Sequence, residues 1–218
     1  MSTSHRARLR LRTTPLALVT GLAAATILAL TMSGTLSAFS ASITNPTNTA
    51  ASGTLVMRET GPSNATCSSS GTTVSAANSA TCSSINKFGG STAMTPGTTV
   101  TVPIAIANTG TTPAETFTLT PSACVPGKNP ASNGVSGDAT DICSKMNVVV
   151  RSGATQIFSG TLASLGTSAP SAFTLPKPAP GGDAVPFTFE VTLDQTATNS
   201  HQGLSASVPL TWTFTAGK

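Results

Sequence analysis

Three stretches of this chain place an apolar residue at every second position, and that period of two limits the fold more than any other feature. In residues 99–107, Val100, Val102, Ile104 and Ile106 share one face, and Thr101, Pro103, Ala105 and Ala107 the other. In 185–193, Val185, Phe187, Phe189, Val191 and Leu193 alternate with Pro186, Thr188, Glu190 and Thr192. In 204–214, Leu204, Ala206, Val208, Leu210, Trp212 and Phe214 alternate with Ser205, Ser207, Pro209, Thr211 and Thr213. Successive side chains of a strand point to opposite faces, so each stretch predicts an antiparallel strand with one face on a core and one in water. Shorter candidates are 53–58, 115–120, 147–151, 155–162 and 172–175, separated by turns such as Asn108-Thr109-Gly110, Ser152-Gly153 and Gly181-Gly182. The expected fold is therefore all-β, an antiparallel two-sheet sandwich of jelly-roll-like type, with an immunoglobulin-like sandwich as the alternative. One short helix is expected at 138–146, with Asp138 capping its start and Lys145 near its negative end.

Charge is scarce and unevenly placed. Only 8% of the 218 residues are charged, against roughly 25% in ordinary domains. Polarity comes instead from hydroxyls, 39 Thr and 28 Ser. Of 11 Lys and Arg, four arginines (Arg6, Arg8, Arg10, Arg12) stand in the first twelve residues; from residue 38 onward seven basic residues meet seven acidic ones. A nucleic-acid surface needs clustered cations to displace phosphate counterions, so no nucleic-acid partner is expected.

Those arginines precede an uncharged apolar run at 15–32, followed by small residues. A positive region, an apolar region and a small-residue cleavage site make a secretory signal, a helix that is removed, rather than a permanent membrane span. Thr35 and Ser37 occupy the third and first places before a cut between Ser37 and Ala38. The expected organisation is a signal peptide at 1–37, an extended N-terminal arm at 38–52 and one β domain at 53–218, with a Ser/Thr-rich insertion at 60–95. No stable membrane span is expected after cleavage, and the expected destination is outside the cell, at its surface or in a matrix. Cys67, Cys82, Cys124 and Cys143 all lie in the exported part and predict two disulfides. Three connectivities exist; the sequence-local one is expected, Cys67 with Cys82 and Cys124 with Cys143, because each pair brackets a loop-rich segment. Each closure contributes about 3 kcal/mol in the chain-entropy model.

The residues offer little for catalysis. The exported part holds one histidine, His201, and lacks both a His-Glu-x-x-His helix and a Gly-x-Ser-x-Gly elbow, so no catalytic residue, metal site or cofactor is expected. Glu190 and Asp194 sit on the polar side of their stretch, the ordinary place for solvated carboxylates. The chain has no Tyr and one Trp, Trp212, on a core face, which counts against an aromatic sugar-binding platform.

Residues 33–57 read SGTLSAFSASITNPTNTAASGTLVM. With Gly34-Thr35-Leu36 before the cut, Ala38-Phe39-Ser40 after it and Gly53, Thr54 and Leu55 opening the first strand, this resembles the TasA and camelysin family of secreted biofilm-matrix fibre proteins. The stretch VPIAIANTG at 102–110 and the late Asn199-Ser200-His201-Gln202-Gly203 resemble that family's strand-then-turn and Asn-x-x-Gln-Gly segments. An acidic residue commonly follows the Phe-Ser element in the family; Ala41 stands there in this chain. The resemblance implies a jelly-roll subunit, a signal peptidase of SipW type as processing partner, other matrix or cell-wall components nearby, and a newly exposed N-terminus that completes the next subunit's sheet.

The residues carry the same logic. Residues 38–49 are too sparse in apolar side chains to bury much locally, yet Ala38, Phe39 and Ile43 suit a strand added to an open edge. Head-to-tail addition need not close, so the chain's principal partner is expected to be itself, as a homopolymer. Two other classes are carried beside this one: a camelysin-like secreted metalloprotease, and a monomeric surface adhesion or binding module.

Overall fold

The computed structural model describes residues 41–71, 78–168 and 172–217. Two compact units make up the chain, Met1–Ala50 and Ala51–Lys218. In the first, residues 41–50 are exposed and hold neither strand nor helix. The expected signal helix, Ser37, Ala38 and Phe39 lie outside the described residues.

The second unit is mostly β, with antiparallel sheets. Its strands are β1 (Met57–Thr60), β2 (Thr66–Ser68), β3 (Thr99–Asn108), β4 (Thr116–Pro121), β5 (Val125–Lys128), β6 (Met146–Ser152), β7 (Thr155–Thr161), β8 (Phe173–Thr174), β9 (Val185–Leu193), β10 (Leu204–Ser207) and β11 (Leu210–Thr215). They form a six-stranded sheet in the order β2-β1-β3-β9-β6-β7, a three-stranded sheet β11-β4-β8 and a two-stranded sheet β10-β5. The alternating stretches at 99–107 and 185–193 become β3 and β9, which pair over their whole length from Thr99 opposite Thr192 to Ile106 opposite Val185. Each carries a proline, Pro103 in the middle of β3 and Pro186 as the second residue of β9. Pro103 lies beyond Ala105, where β1 stops pairing, and Pro186 lies beyond Phe187, where β6 stops. Each missing N–H thus falls where no neighbour needs it.

The core gathers the apolar faces of both large sheets: Val102, Ile104 and Ile106 of β3, Val148 and Val150 of β6, Phe187, Phe189 and Val191 of β9, and Phe117 and Leu119 of β4. Rings join the two sheets, Phe117 lying 5.8 Å and Trp212 5.0 Å from Phe187, and within its own sheet Phe117 packs 4.8 Å from Phe214. Burial of each such side chain contributes about 1.5–3 kcal/mol. Helix α2 (Leu162–Thr167), after the one-turn α1 (Ile142–Lys145), is capped by reciprocal Thr161 and Ser164 contacts and buries Leu162 and Leu165 in this core.

Several expectations change in detail. The helix expected at 138–146 is only the single turn α1, and Asp141, not Asp138, precedes it. The strand expected at 53–58 begins at Met57. Before it, the chain packs on the 108–112 turn, where Thr54 O accepts from the amides of Thr111 and Thr112, and Val56 O from Thr109. A Cβ on Gly110 would stand 2.2 Å from Thr54 O, so the turn needs glycine. The insertion at 60–95 supplies β2, the buried Ile85, and the partly buried Phe88, whose ring lies 6.5 Å from Phe189.

The four cysteines join as Cys67 to Cys82 and Cys124 to Cys143, with Cα separations of 6.1 and 6.2 Å. Among the described residues no helix is long and apolar enough to cross a membrane.

Candidate functional site

The alternating stretch at 204–214 forms two strands rather than one, yet its phase survives the interruption at Val208-Pro209. Gly203 O accepts from Asn129 N, Pro209 O from Ser122 N and Thr215 O from Glu115 N. The backbone groups of these odd positions therefore turn inward, toward β5 and β4. In an antiparallel pair the bonding direction alternates by residue. The backbone groups of Leu204, Ala206, Leu210, Trp212 and Phe214 accordingly point out of the ribbon, and among the described residues no strand pairs with that side. The prolines agree: Pro126 opposes Ala206 and Pro121 opposes Leu210, positions where no donor is required. Between these two pairings, three steps along β10–β11, from Ser207 to Leu210, span four along β5–β4, from Val125 to Pro121, so the extra residue bulges on the inner strand.

The outward-bonding residues are also those whose side chains face the core. Leu204, Ala206, Leu210, Trp212 and Phe214 are only half-buried, whereas Phe187 and Phe189 across from them are fully buried. Two clefts account for the difference and lie end to end along the ribbon. One, of about 750 Å³, runs beside residues 208–214 and is walled by Leu55, Met57, Ile85 and Phe88. The other, of about 740 Å³, runs beside residues 204–207 and is walled by Thr92, Asn129, Ser132, Thr198 and Gln202 along with Met94 and Leu193. Asn86 and Phe88 border both. An open strand edge above an incompletely covered core can accept an added strand, with the backbone supplying hydrogen bonds and the clefts taking alternate side chains.

A buried ion pair stands in the first cleft. Glu59 shares the inward phase of Met57 on β1, and its carboxylate lies 2.7 Å from Lys87 Nζ, with side-chain exposures of 6% and 11%. Trp212 Nε1 donates to the same carboxylate oxygen at 3.2 Å, and the ammonium sits 5.8 Å from the Trp212 ring centre. The tryptophan is thus fixed by a hydrogen bond at its edge and a cation near its face. The disulfide Cys67–Cys82 and Asn78, which donates to Leu55 O, hold the outer wall of this cleft.

His201 closes the 3-10 turn Asn199–His201, with only 8% of its side chain exposed. Its Nε2 is 2.9 Å from Asp141 Oδ1, and its Nδ1 accepts the Thr198 amide at 3.1 Å. Ser200 Oγ is 3.5 Å from the same Nδ1, so a carboxylate, an imidazole and a hydroxyl do adjoin. The Nδ1 lone pair is already taken by a backbone N–H, however, which leaves the ring no free base toward that serine. The hydrogen bond from His201 holds the Asp141 carboxyl below its ordinary range. The cluster ties the 199–203 turn to α1, and Gly203, at φ +68°, ends it where a Cβ would lie 2.0 Å from Val135 O. Asn199 and Gln202 belong to this turn, and Gly53, Thr54 and Leu55 to the segment on the 108–112 turn. Asp194 is committed to Thr196 and Asn147, and the hydrogen bond from Thr196 lowers its carboxyl in the same way. Among the described residues no group of three or more His, Cys, Asp or Glu is placed to hold a metal.

Of the residues expected to form a donor segment, Ile43 is 91% exposed. The Glu59–Lys87–Trp212 group and the Asp141 partner of His201 were not anticipated. The legible signal for the first was an acidic residue in phase with Met57.

Comparison with protein-family models and with curated proteins returns no match.

Proposed function

We propose that this chain is a secreted structural subunit of a cell-surface or biofilm-matrix fibre. Its leader is removed between Ser37 and Ala38 by a peptidase of SipW type, and the freed arm at 38–52 inserts into the next subunit. The β domain is a jelly-roll-like sandwich lacking one strand, and the trench along β10–β11 is the place the neighbour's arm fills. The observation that carries this reading is the coincidence, on one ribbon, of outward backbone groups and half-buried apolar side chains above two clefts. An exposed arm holding Ile43 in an otherwise polar, Pro-containing stretch supplies the complementary element. Because donor and acceptor are different surfaces, the contact does not close on itself and gives a filament.

The test uses the full chain, expressed with its own leader in an exporting host. The exported product forms filaments by negative-stain microscopy, and its Phe39→Asp/Ile43→Asp variant stays a folded monomer by sizing. A monomeric parent, or fibres from the double variant, overturns the reading.

A further inference from the structure

We propose that the outer face of the three-stranded sheet β11-β4-β8 is a surface that adsorbs to ice. The inference is independent of the fibre reading, because it uses the broad face of this sheet and not its edge.

Every outward position on these strands is threonine. Phe117 and Leu119 of β4 are buried in the core, and Phe173 of β8 with Trp212 and Phe214 of β11 pack against it, so the residues that alternate with them point out. The register sets these threonines in ranks: Thr120 opposite Thr211, Thr118 opposite both Thr213 and Thr174, and Thr116 opposite Thr215. A Thr-rich composition alone does not produce this order. On the outer face of the six-stranded sheet Thr101, Glu190 and Val149 share one rank, and Pro103, Thr188 and Arg151 the next.

Repetition in two directions is what a crystal of water can recognise. Alternate residues of a strand recur at about 6.6–6.8 Å, and neighbouring strands lie about 4.7–4.9 Å apart. The oxygens on a prism face of hexagonal ice repeat on a near-rectangular net of similar dimensions, so hydroxyls on this grid can stand in for lattice waters. Strand twist fans ranks apart as strands are added, and with only three strands here it has little room to accumulate. Threonine suits the task because its β-branch stiffens χ1, so that its hydroxyl is ordered before contact. The Thr116 and Thr215 hydroxyls bond to each other, whereas among the described residues those of Thr118, Thr120, Thr174, Thr211 and Thr213 take no protein partner and are open to water. A charged side chain would draw water into a hydration shell of its own, and none occupies an outward position of this sheet. Glu115 and Lys177, tied by Lys177 Nζ donating to Glu115 O at 2.9 Å, stand beside its Thr116 end. Each hydroxyl contributes one modest contact with ordered water, and the hold comes from many made at once.

The experiment expresses the full chain with its own leader in an exporting host. An ice hemisphere is grown slowly on a chilled probe in a dilute solution of the exported product, and protein in the ice is compared with protein in the liquid, beside an inert protein in the same vessel. The parent is enriched in the ice over the inert protein. Thr213→Lys, which sets a long charged chain in the middle rank, lowers the incorporated fraction at least about fivefold, because an array of weak contacts fails together when it cannot seat, while Thr101→Lys, the same change on the six-stranded sheet, stays within about twofold. Urea midpoints read by Trp212 fluorescence check that both variants fold as the parent does; should Thr213→Lys fall short, Thr211→Lys in the end rank takes its place with the same expected loss. A parent excluded from the ice like the inert protein overturns the proposal, as do equal losses from the two faces. Exclusion from ice together with retention on crystalline cellulose, released by Thr213→Lys, overturns it in favour of a polysaccharide.

Discussion

Replacing Lys87 with Met and Glu59 with Gln, singly and together, reads out the ion pair in the aromatic cleft. Lys87→Met leaves a carboxylate of 6% exposure with the Trp212 N–H, 3.2 Å away, as its remaining partner. Removing one member of a buried pair costs about 3–5 kcal/mol, chiefly because the other charge stays buried. Glu59→Gln strands the ammonium, but its amide oxygen still accepts from Trp212 and the ring still attracts the cation by about 0.5–2 kcal/mol. Its cost is accordingly set near the lower figure, about 3 kcal/mol. The double variant keeps the tryptophan's hydrogen bond and removes both charges, so it should lie within about 1 kcal/mol of the parent. In a domain of this size about 1 kcal/mol moves Tm by roughly 2–4 °C, so Glu59→Gln should melt roughly 6–12 °C early and Lys87→Met roughly 6–20 °C early. Urea unfolding followed by fluorescence is well suited, because Trp212 is the one Trp and Tyr is absent. A double variant as unstable as the two single losses added would refute the coupling and the account of how Trp212 is held.

Three further outcomes follow from the fold and its edges. The Asp141 carboxyl is held below its ordinary 3.8 by His201, so its contribution is full above about pH 4 and is lost as pH falls through the lower folded value. Asp141→Asn should therefore flatten the acid limb of urea midpoints measured from pH 7 to pH 2, and an unchanged limb would contradict the assignment. Cys124→Ser/Cys143→Ser, opening a loop of sequence separation 19, should lower stability by about 3 kcal/mol in denaturant titrations. Gly110→Ala, whose methyl would meet Thr54 O, should destabilise by more than about 1 kcal/mol and speed amide exchange at Thr111 and Thr112; unchanged exchange there would argue against the close approach.

Long alternating stretches were legible because burial on one face imposes a period of two over many residues. That signal located β3 and β9, and it kept its meaning at 204–214, where the chain breaks into two strands but the phase does not. The weaker strands were illegible for a reason visible in their residues. Thr66–Ser68 lies in a Ser/Thr run with no contrast between faces, and Val125–Lys128 is Val-Pro-Gly-Lys, which reads as a turn. Both form because a neighbour is already in place, β1 for the first and β10 for the second. The cleft and its ion pair depend on Lys87 returning from the insertion to β1, a long-range closure that no local pattern encodes. His201 was legible as the one histidine of the exported part, but Asp141, its partner, sits 60 residues away.

The placement of the bulge on β4–β5, rather than on the ribbon edge, sets how the gene tolerates lost codons. Deleting one residue among Ser122, Ala123 and Cys124 takes the surplus from the inner strand, and Leu204, Ala206, Leu210, Trp212 and Phe214 stay in phase, although losing Cys124 also breaks a disulfide. Deleting Pro209 shifts β11 by one and turns Leu210, Trp212 and Phe214 to solvent while sending Thr211 and Thr213 inward. Two single-codon losses a few ångströms apart in space thus have opposite fates, one absorbed and one inverting the whole face.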